Sequence, residues 1–346
     1  MRRIFPEGAT GPSVIAVGDS LSHLAAYCNA PGTVIITDAV VRRLHGTRFP
    51  PCEVIEIGMG ERSKTLTTVG EVYEAFLRLG VDRSSRVVAI GGGIVCDVAG
   101  FAASTYLRGL RFGFVPTTLL AQVDAGVGGK NGVNLHGYKN LVGTFTQPDF
   151  VLCDLDLLNT LPEGELQNGF AEVIKQAAIG DASLFSFLEM HAQEALRLDR
   201  GVIERIIYYS LKIKAAIVAR DERESGERRK LNFGHTIGHA VEKVHHPSHG
   251  RAVSLGMSAA CRLSAAMGLL SPGDMERIEH LLAAFGLPLS MEIDGSLVWD
   301  TLWKDKKKEG KEIHFVLLEG IGNARIAPIA IDALKGVIDD LCQHQR

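Results

Sequence analysis

The alternation of predicted strands and helices is the sequence feature that most limits the fold of this chain. Short β-branched runs alternate with helical patterns through the first half. The predicted strands are residues 33–37, 86–90, 112–115 and 151–154. Strands that are joined by helices pair in parallel, because a parallel connection has to cross over the sheet. The sequence therefore predicts a parallel sheet with helices on both of its faces.

The pattern changes near Leu161-Pro162, after which helical patterns follow one another. The predicted helices are residues 163–180, 182–197, 201–219, 231–244, 252–268 and 274–285. A β-like segment at 312–318 precedes a last helix that is predicted at 330–342. We therefore predict a Rossmann-like α/β domain over residues 1–161 and a mostly α-helical domain over residues 162–346.

Composition and charge argue against several classes of protein. A net charge of −3 gives no electrostatic reason to bind nucleic acid or an anionic membrane. The six cysteines are scattered without a CxxC pair, which is typical of reduced thiols in a reducing compartment. Pro6, Glu7 and Gly8 interrupt any signal-peptide core, and there is no uncharged apolar run of about 18 residues. We expect a cytoplasmic protein.

A glycine cluster, Gly91-Gly92-Gly93, follows one predicted strand and opens a predicted helix. Glycines at such a turn let the backbone approach a phosphate, and the helix N-terminus supplies N–H donors. The GxGxxG pattern is only partly met, because Cys96 stands at its third glycine position. A tight turn without a ligand is the alternative. Asp97 suits either helix capping or ribose binding.

Two further segments support nucleotide binding. Gly60-Glu61-Arg62-Ser63-Lys64 offers a carboxylate and an ammonium group within one turn. Thr117-Thr118 follows another strand, at the carboxyl edge where parallel sheets bind ligands.

Basic residues and a glycine-rich stretch predict a site for anions. Asp124-Ala-Gly-Val-Gly-Gly-Lys130 carries one acid and one base, and Lys139-Asn140 follows nine residues later. Other basic residues that could join it are Arg108, Lys214, Arg228, Lys306 and Lys307. Solvated surface charge is the alternative. A convergent site would bind a substrate with two anionic groups, for example a phosphate and a carboxylate.

Histidines and one glutamate predict a divalent metal site. His235 and His239 are four residues apart, so they share one face of a helix. His249 stands at a predicted helix entrance, and His245 and His246 compete with it for the third position. Glu172, in Gly-Phe-Ala-Glu-Val-Ile-Lys175, is flanked by apolar residues and needs a cation or a lysine partner if it is buried. A Glu/His/His set with an open position fits zinc or a similar cation, and helix-packing imidazoles are the alternative.

Taken together, these motifs resemble those of 3-dehydroquinate synthases, from about Gly58 to Ile321. The stretches that carry the resemblance are GERSKT (60–65), GGGIVCDVAGFAAS (91–104), TYLRG (105–109), PTTLLAQVDAGVGGK (116–130), GYKNLVGTF (137–145), TLP (160–162), GFAEVIK (169–175), 221–242, 249–257 and DKK (305–307). Their number, order and spacing are more specific than any single motif. The resemblance implies a dehydroquinate-synthase-like fold.

The resemblance also implies roles for individual residues. Glu172, His235 and His249 would be the metal ligands, for zinc or cobalt. The NAD site would comprise Asp38, Met59, Gly60, Glu61, Arg62, Ser63, Lys64, Gly93, Ile94, Val95, Cys96, Asp97, Thr117, Thr118, Lys130, Lys139, Leu157, Leu158, Asn159 and Thr160. The substrate site would comprise Asp124, Lys130, Asn140, Lys175, Lys214, Arg228, Asn232, His239 and one of Lys306 or Lys307. Arg108 would reach a neighbouring subunit's phosphate pocket, which implies a homodimer.

The implied reaction turns 3-deoxy-D-arabino-heptulosonate 7-phosphate into 3-dehydroquinate and phosphate. It combines transient oxidation by NAD, phosphate elimination, re-reduction and an internal aldol closure. His239 would handle protons, and Lys130 and Arg228 would hold the anionic groups.

Two positions depart from the family pattern, and two other enzyme classes compete. Many members have glycine at Cys96 and glutamate at Arg251. The second change removes a carboxylate that could orient a ligand histidine, which predicts weaker metal affinity or a different set of groups around the ligands. Cyclases that give valiolone- or inosose-type products share the NAD and metal parts. A metal-dependent oxidoreductase of the glycerol-dehydrogenase type is the more distant alternative, and it would release NADH as a product.

Overall fold

The structure is a computed structural model and describes residues 1–6, 13–28, 32–306 and 312–342, without the side chains of residues 305 and 306. The strands are β1 (Arg2–Ile4), β2 (Val14–Val17), β3 (Thr33–Asp38), β4 (Glu53–Ile57), β5 (Arg86–Gly91), β6 (Arg111–Pro116), β7 (Lys130–Leu135), β8 (Tyr138–Phe145), β9 (Phe150–Cys153), β10 (Glu312–Leu318) and β11 (Ala324–Ala330).

The helices are α1 (Ala39–His45), α2 (Leu66–Arg78), α3 (Gly93–Thr105), α4 (Glu163–Gly180), α5 (Ala182–Met190), α6 (Ala192–Leu196), α7 (Arg200–Arg220), α8 (His235–His245), α9 (His249–Ala266), α10 (Pro272–Ala284), α11 (Gly295–Lys306) and α12 (Leu334–Asp339). None of the described helices is both long and apolar enough to cross a membrane.

These elements form two compact units. The first comprises Met1–Pro162 and Ile203–Arg223, and the second comprises Glu163–Val202 and Glu224–Arg346. Most of α7 therefore belongs to the first unit. The division into functional domains at residues 161 and 162 stays a prediction.

A seven-stranded sheet forms the centre of the first unit. Its strand order is β1-β2-β9-β6-β5-β3-β4, and all neighbours pair in parallel except β1, which is antiparallel to β2. Its central strands are apolar and buried, as in parallel sheets that are covered on both faces. Ile35, Val88, Val115 and Leu152 join one core cluster of these strands. The predicted parallel α/β fold is confirmed.

An antiparallel hairpin of β7 and β8, which follows the glycine-rich stretch 124–130, was not predicted from the sequence. Many residues of both strands are polar, and β8 is largely exposed. Neither strand therefore shows the apolar alternation that marks a strand in sequence. Asn134 N donates to the carbonyl oxygen of Lys64 over 2.9 Å. The hairpin is thereby tied to the segment that precedes α2.

The second unit is mostly helical, as predicted, with a β10–β11 hairpin. Helix 163–180 was predicted with its observed bounds, whereas the predicted helix 182–197 is interrupted at His191. The predicted helix 231–244 is a 3-10 turn over Glu227–Asn232 followed by α8, and α9 begins earlier than predicted, at His249. Helix α11 was not predicted. Both His235 and His249 are therefore first residues of helices.

Candidate active site

Glu172, His235 and His249 come together in the second unit. Glu172 lies within α4, and the two histidines begin α8 and α9. The Nε2 atoms of His235 and His249 lie 3.4 and 3.2 Å from Glu172 Oε1. One possible ligand atom of each residue lies within 4.8 Å of the others. The structure thus gathers all three residues that the sequence analysis assigned to a metal.

Local structure fixes how His235 faces Glu172. Gly234 precedes α8 with φ +78°, a conformation that favours glycine, and this turn sets the helix start. His235 Nδ1 lies 3.1 Å from the carbonyl oxygen of Phe233, to which it donates in the matching tautomer. The lone pair of His235 is then on Nε2, the nitrogen that faces the carboxylate.

The electrostatics of the cluster follow from its burial. Burial alone would raise the pKa of the Glu172 carboxyl group, but Lys175, His235 and His249 outweigh it and hold that pKa well below its usual range. Lys175 forms an ion pair with Glu172 Oε2 from one turn further along α4. Burial lowers the pKa of His249, whereas Glu172 and Glu242 raise it, to about 9 overall.

The three side chains fit a divalent cation of the zinc or cobalt type. One carboxylate and two imidazole nitrogens are ligands that such ions take, with room for further ligands. Glu172 is fully buried, so its charge has to be neutralised by protons, by Lys175 or by a cation. A cation would add to the neutralisation that Lys175 already provides.

A further carboxylate lies near His249, beside the ring nitrogen Nδ1 that faces away from Glu172. Glu242 Oε2 lies 3.6 Å from His249 Nδ1. Sequence reasoning expected arginine at position 251 to leave His249 without an orienting carboxylate. Arg251 is exposed in α9, and Glu242 supplies a carboxylate from α8 instead.

The other histidines of this region have separate positions. His239 is exposed, and its ring centroid lies 5.0 Å from that of His235. His245 Nε2 accepts a hydrogen bond from Asp294 N over 3.2 Å, and His246 caps the end of α8 with φ +54°. Of these histidines, His249 is the one that lies in the cluster with Glu172 and His235.

The remaining predicted substrate residues of the second unit are Lys175, Arg228, Asn232, Lys306 and Lys307. Lys175 and Arg228 are buried, and Asn232 Nδ2 donates to Glu224 Oε1 over 2.9 Å. Lys306 ends α11, but its side chain is not described. Lys307 lies outside the described residues.

The glycine turn of the first unit has the form that an anion site needs. Gly92 is the N-cap of α3 and offers no side-chain cap, and a Cβ on Gly92 would lie 3.3 Å from the Thr118 side chain. The first N–H groups of α3 therefore receive no hydrogen bond from an N-cap side chain, and they could donate to an anion instead. Cys96 is fully buried and its thiol lies 3.8 Å from the carbonyl oxygen of Gly91. Its side chain belongs to the core beneath the turn.

Lys64 links two predicted sites of the first unit. Its Nζ lies 2.5 Å from Asp97 Oδ2 and also contacts Asn140 Oδ1. Burial raises the pKa of the Asp97 carboxyl group, and Lys64 limits the rise, which gives a pKa of about 6. Glu61 Oε1 accepts a hydrogen bond from Asn134 Nδ2 over 2.7 Å. Residues from the predicted nucleotide and substrate sets are therefore in direct contact.

Asp124 and Lys214 form a second linked pair in the first unit. Asp124 lies in a turn of π-helix over Ala121–Ala125, a distortion that is frequent at functional sites. Lys214 Nζ lies 2.6 Å from Asp124 Oδ1 and donates to the Asp124 carbonyl oxygen as well. Lys130, Lys139 and Arg108 are exposed.

The other residues assigned to NAD vary in exposure. Asp38 accepts hydrogen bonds from Val40 N and Val41 N and so caps α1. Thr117 is buried, whereas Met59, Gly60, Glu61, Arg62 and Asn159 are exposed. Leu157 and Leu158 are fully buried, and Thr160 Oγ1 lies 3.1 Å from His45 Nε2.

Sequence reasoning missed two residues beside the metal cluster, Glu242 and Asn168. Asn168 Oδ1 accepts a hydrogen bond from Gly250 N over 2.8 Å, next to His249. Asn168 stands four residues before Glu172 and so shares its face of α4, but nothing in the sequence marks Gly250 as its partner.

The chain matches two family models over most of its length. Residues 54–168 match the model of the 3-dehydroquinate synthase N-terminal domain, and residues 169–308 match that of the C-terminal domain. A 3-dehydroquinate synthase of Pelobacter propionicus is 39% identical over 343 residues, which cover 94% of this chain and 96% of that protein.

Two solved structures have closely similar folds. A 2-epi-5-epi-valiolone synthase from Streptomyces hygroscopicus subsp. jinggangensis, with NAD+ and Zn2+ bound, superposes with a TM-score of 0.87 at 28% identity and 99% coverage of both chains. A 2-deoxy-scyllo-inosose synthase complexed with carbaglucose-6-phosphate, NAD+ and Co2+ has a TM-score of 0.82 at 26% identity, covering 98% of this chain and 100% of that one.

Proposed function

The chain belongs to the 3-dehydroquinate synthase family, and we propose that it converts 3-deoxy-D-arabino-heptulosonate 7-phosphate into 3-dehydroquinate and phosphate. In this proposal it is a carbon–oxygen lyase that depends on NAD and on a divalent metal. NAD would accept a hydride and return it within one turnover, so no net oxidation would occur.

The observation that carries the proposal is the cluster of Glu172, His235 and His249. A divalent cation held by these residues would lower the pKa of the vicinal hydroxyl groups of the sugar. Glu172 is buried and the two histidines are partly buried. Their ligand atoms suit that task, because the Phe233 carbonyl group orients His235 and Lys175 helps to neutralise Glu172.

The first unit supplies the proposed nucleotide site. The uncapped N-terminus of α3, with Gly92 and Gly93, suits a pyrophosphate, and Asp97 suits a ribose hydroxyl. Lys64 holds Asp97 in place and limits the rise of its pKa. Glu61 and Thr118 are at least partly exposed and available to the same ligand.

Charged side chains would bind the substrate anions and move protons. Arg228 and Lys130 would hold the carboxylate and the phosphate, since guanidinium and ammonium groups bind such anions. His239 would move a proton, because an imidazole can give or take one near neutral pH. Asp124 would keep Lys214 oriented through their 2.6 Å contact.

Phosphate release and NADH absorbance together test the proposal. Purified protein with NAD and Co2+ should release phosphate from the heptulosonate phosphate, with no net NADH at 340 nm. Absence of phosphate release would refute the substrate assignment. Accumulation of NADH would instead indicate a metal-dependent dehydrogenase. Glucose 6-phosphate and sedoheptulose 7-phosphate are the comparison substrates, and preferential turnover of either would indicate another cyclase of the same fold.

We also propose that the chain acts as a homodimer in which Arg108 contributes to the neighbouring subunit's phosphate site. Arg108 is exposed, and Leu107, Leu141 and Phe145 of the same unit expose apolar surface of a kind that interfaces bury. Light scattering should give twice the monomer mass of 37.3 kDa. Arg108→Ala subunits mixed with subunits inactivated at Lys130 should recover activity only if the arginine acts across the interface.

A further inference from the structure

We propose that Asn168 is a positioning residue for the metal site, which holds His249 at a fixed distance from Glu172. Its amide Oδ1 accepts a hydrogen bond from Gly250 N over 2.8 Å, and the residue is only 7% exposed. The inference rests on the proposed metal role of Glu172, His235 and His249. Asn168 itself would not bind the metal and would act through the position of His249.

Helix α9 depends on this contact for the capping of its first turn. The N-cap residue Ser248 makes no side-chain capping hydrogen bond. The N–H groups of a first helical turn lack partners inside the helix, so an acceptor has to come from elsewhere. Asn168 supplies it from α4, and the N–H that it binds belongs to the residue directly after His249.

The same helix face carries both the cap and a metal ligand. Asn168 and Glu172 are four residues apart in α4 and therefore project from the same side, one turn apart. The hydrogen bond to Gly250 thus fixes the start of α9 relative to Glu172. His249 Nε2 reaches Glu172 Oε1 at 3.2 Å under this constraint.

Close backbone packing makes the contact specific. A Cβ on Gly250 would lie 2.6 Å from Asn168 Cα, so only glycine lets the two helices approach this far. Asn168 Nδ2 lies 3.4 Å from Glu165 Oε2, which directs Oδ1 toward Gly250. The amide is therefore oriented from both ends.

Cobalt binding tests the inference, because the visible absorption of Co2+ reports its ligand geometry. Asn168→Ala should weaken Co2+ binding about 10- to 100-fold, as is typical when a group that supports a ligand is lost, and should change the visible spectrum. Asn168→Asp keeps an acceptor for Gly250 N but loses the Nδ2 contact with Glu165, so it should bind Co2+ more tightly than the alanine variant and less tightly than the wild type. Asn168→Leu fills the space without an acceptor and should behave as the alanine variant does, so it replaces that variant if alanine prevents folding.

Ser264→Ala is the matched control. Ser264 Oγ also accepts a hydrogen bond from a distant backbone N–H, Leu318 N at 3.0 Å, but it lies about 22 Å along α9 from His249. Co2+ binding by this variant should equal that of the wild type. The inference is overturned if Asn168→Ala keeps wild-type affinity and spectrum, or if Ser264→Ala loses as much. If the wild type itself binds no Co2+ or Zn2+, the proposed metal site fails instead.

Discussion

At the scale of single residues, substitutions in the buried pair of Glu172 and Lys175 can distinguish an effect on metal binding from an effect on stability. Glu172→Gln should abolish binding of Zn2+ and Co2+, and it should lower the free energy of unfolding by about 3–5 kcal/mol because Lys175 is left buried without its partner. Adding Lys175→Met should restore much of the stability but no metal. Metal content by mass spectrometry and chemical denaturation measure the two effects.

The control for this pair is Glu163→Gln, a change of the same kind at an exposed position of the same helix. It should alter neither metal content nor stability by more than about 0.5 kcal/mol. Metal content near the wild-type level in Glu172→Gln would contradict the assignment of Glu172 as a ligand.

Asp97 should make the stability of the protein depend on pH in the acidic range. Burial raises the pKa of its carboxyl group to about 6 from an ordinary value of 3.8. The folded state therefore holds this proton more tightly than the unfolded state does. The stability that Asp97 contributes is greatest below its pKa in the unfolded state and is lost as the pH rises through about 6. The loss amounts to at most about 3 kcal/mol, since one pKa unit corresponds to about 1.4 kcal/mol.

Asp97→Asn isolates this contribution, because it removes the titrating group and keeps the shape. The wild-type free energy of unfolding, taken relative to this variant, should fall between about pH 3.8 and about pH 6 and then stay level. A difference that is constant over this range would show an ordinary pKa in the folded state, and one that rises with pH would show a lowered pKa; either result would contradict the prediction.

The proximity of Glu172, His235 and His249 was predictable from sequence, because these residues are chemically distinctive and stand in distinctive motifs. Residue types, apolar flanks and a helix start indicated Glu172 and His235, and the family resemblance selected His249 over His245 and His246. Asn168 and Glu242 were not predictable in this way, since their roles depend on which backbone or ring they meet after folding. An asparagine in a helix carries no signal of its own until the helix that it caps is known.

At the scale of elements, the close approach of α8 and α9 sets the geometry of the cluster. A Cβ on Gly256 of α9 would lie 1.8 Å from the carbonyl oxygen of Gly234, directly before α8. Gly256→Ala should therefore separate the helices, lower the free energy of unfolding by about 1–3 kcal/mol and weaken Co2+ binding. Chemical denaturation and Co2+ titration would detect both effects.

Gly273→Ala is the control for this helix contact, because a Cβ at Gly273 of α10 meets nothing within 4 Å. It should leave Co2+ binding unchanged and should not destabilise the protein. Should Gly256→Ala bind Co2+ as the wild type does, the contact would not be what positions His235 and His249.

The strands that were predicted correctly from the sequence are those with a clear apolar pattern. β3, β5, β6 and β9 were predicted because buried parallel strands are continuous apolar runs. The β7–β8 hairpin was missed because neither strand shows apolar alternation and β8 is largely exposed. Its pairing is set by contacts such as Asn134 with Lys64, which no local pattern encodes.

At the scale of the whole molecule, the two units divide the proposed cofactors between them. All three proposed metal ligands belong to the second unit, and the glycine turn, Lys64 and Asp97 belong to the first. Sequence reasoning gave the right order of α/β and helical parts. It could not assign Ile203–Arg223 to the first unit, because a helical pattern does not reveal which unit a helix packs against.

Hydrogen exchange should therefore respond to each cofactor in a different unit. A ligand that binds only the folded state suppresses opening of the region that it binds, by mass action. Co2+ should slow exchange in α4 and the first turns of α8 and α9, and NAD should slow it in the segment from Gly60 to Lys64 and at the start of α3. Mass spectrometry of peptides from each unit can follow both. Glu172→Gln should lose the first effect and keep the second, and protection of the Gly60–Lys64 segment by Co2+ alone would contradict the proposed division.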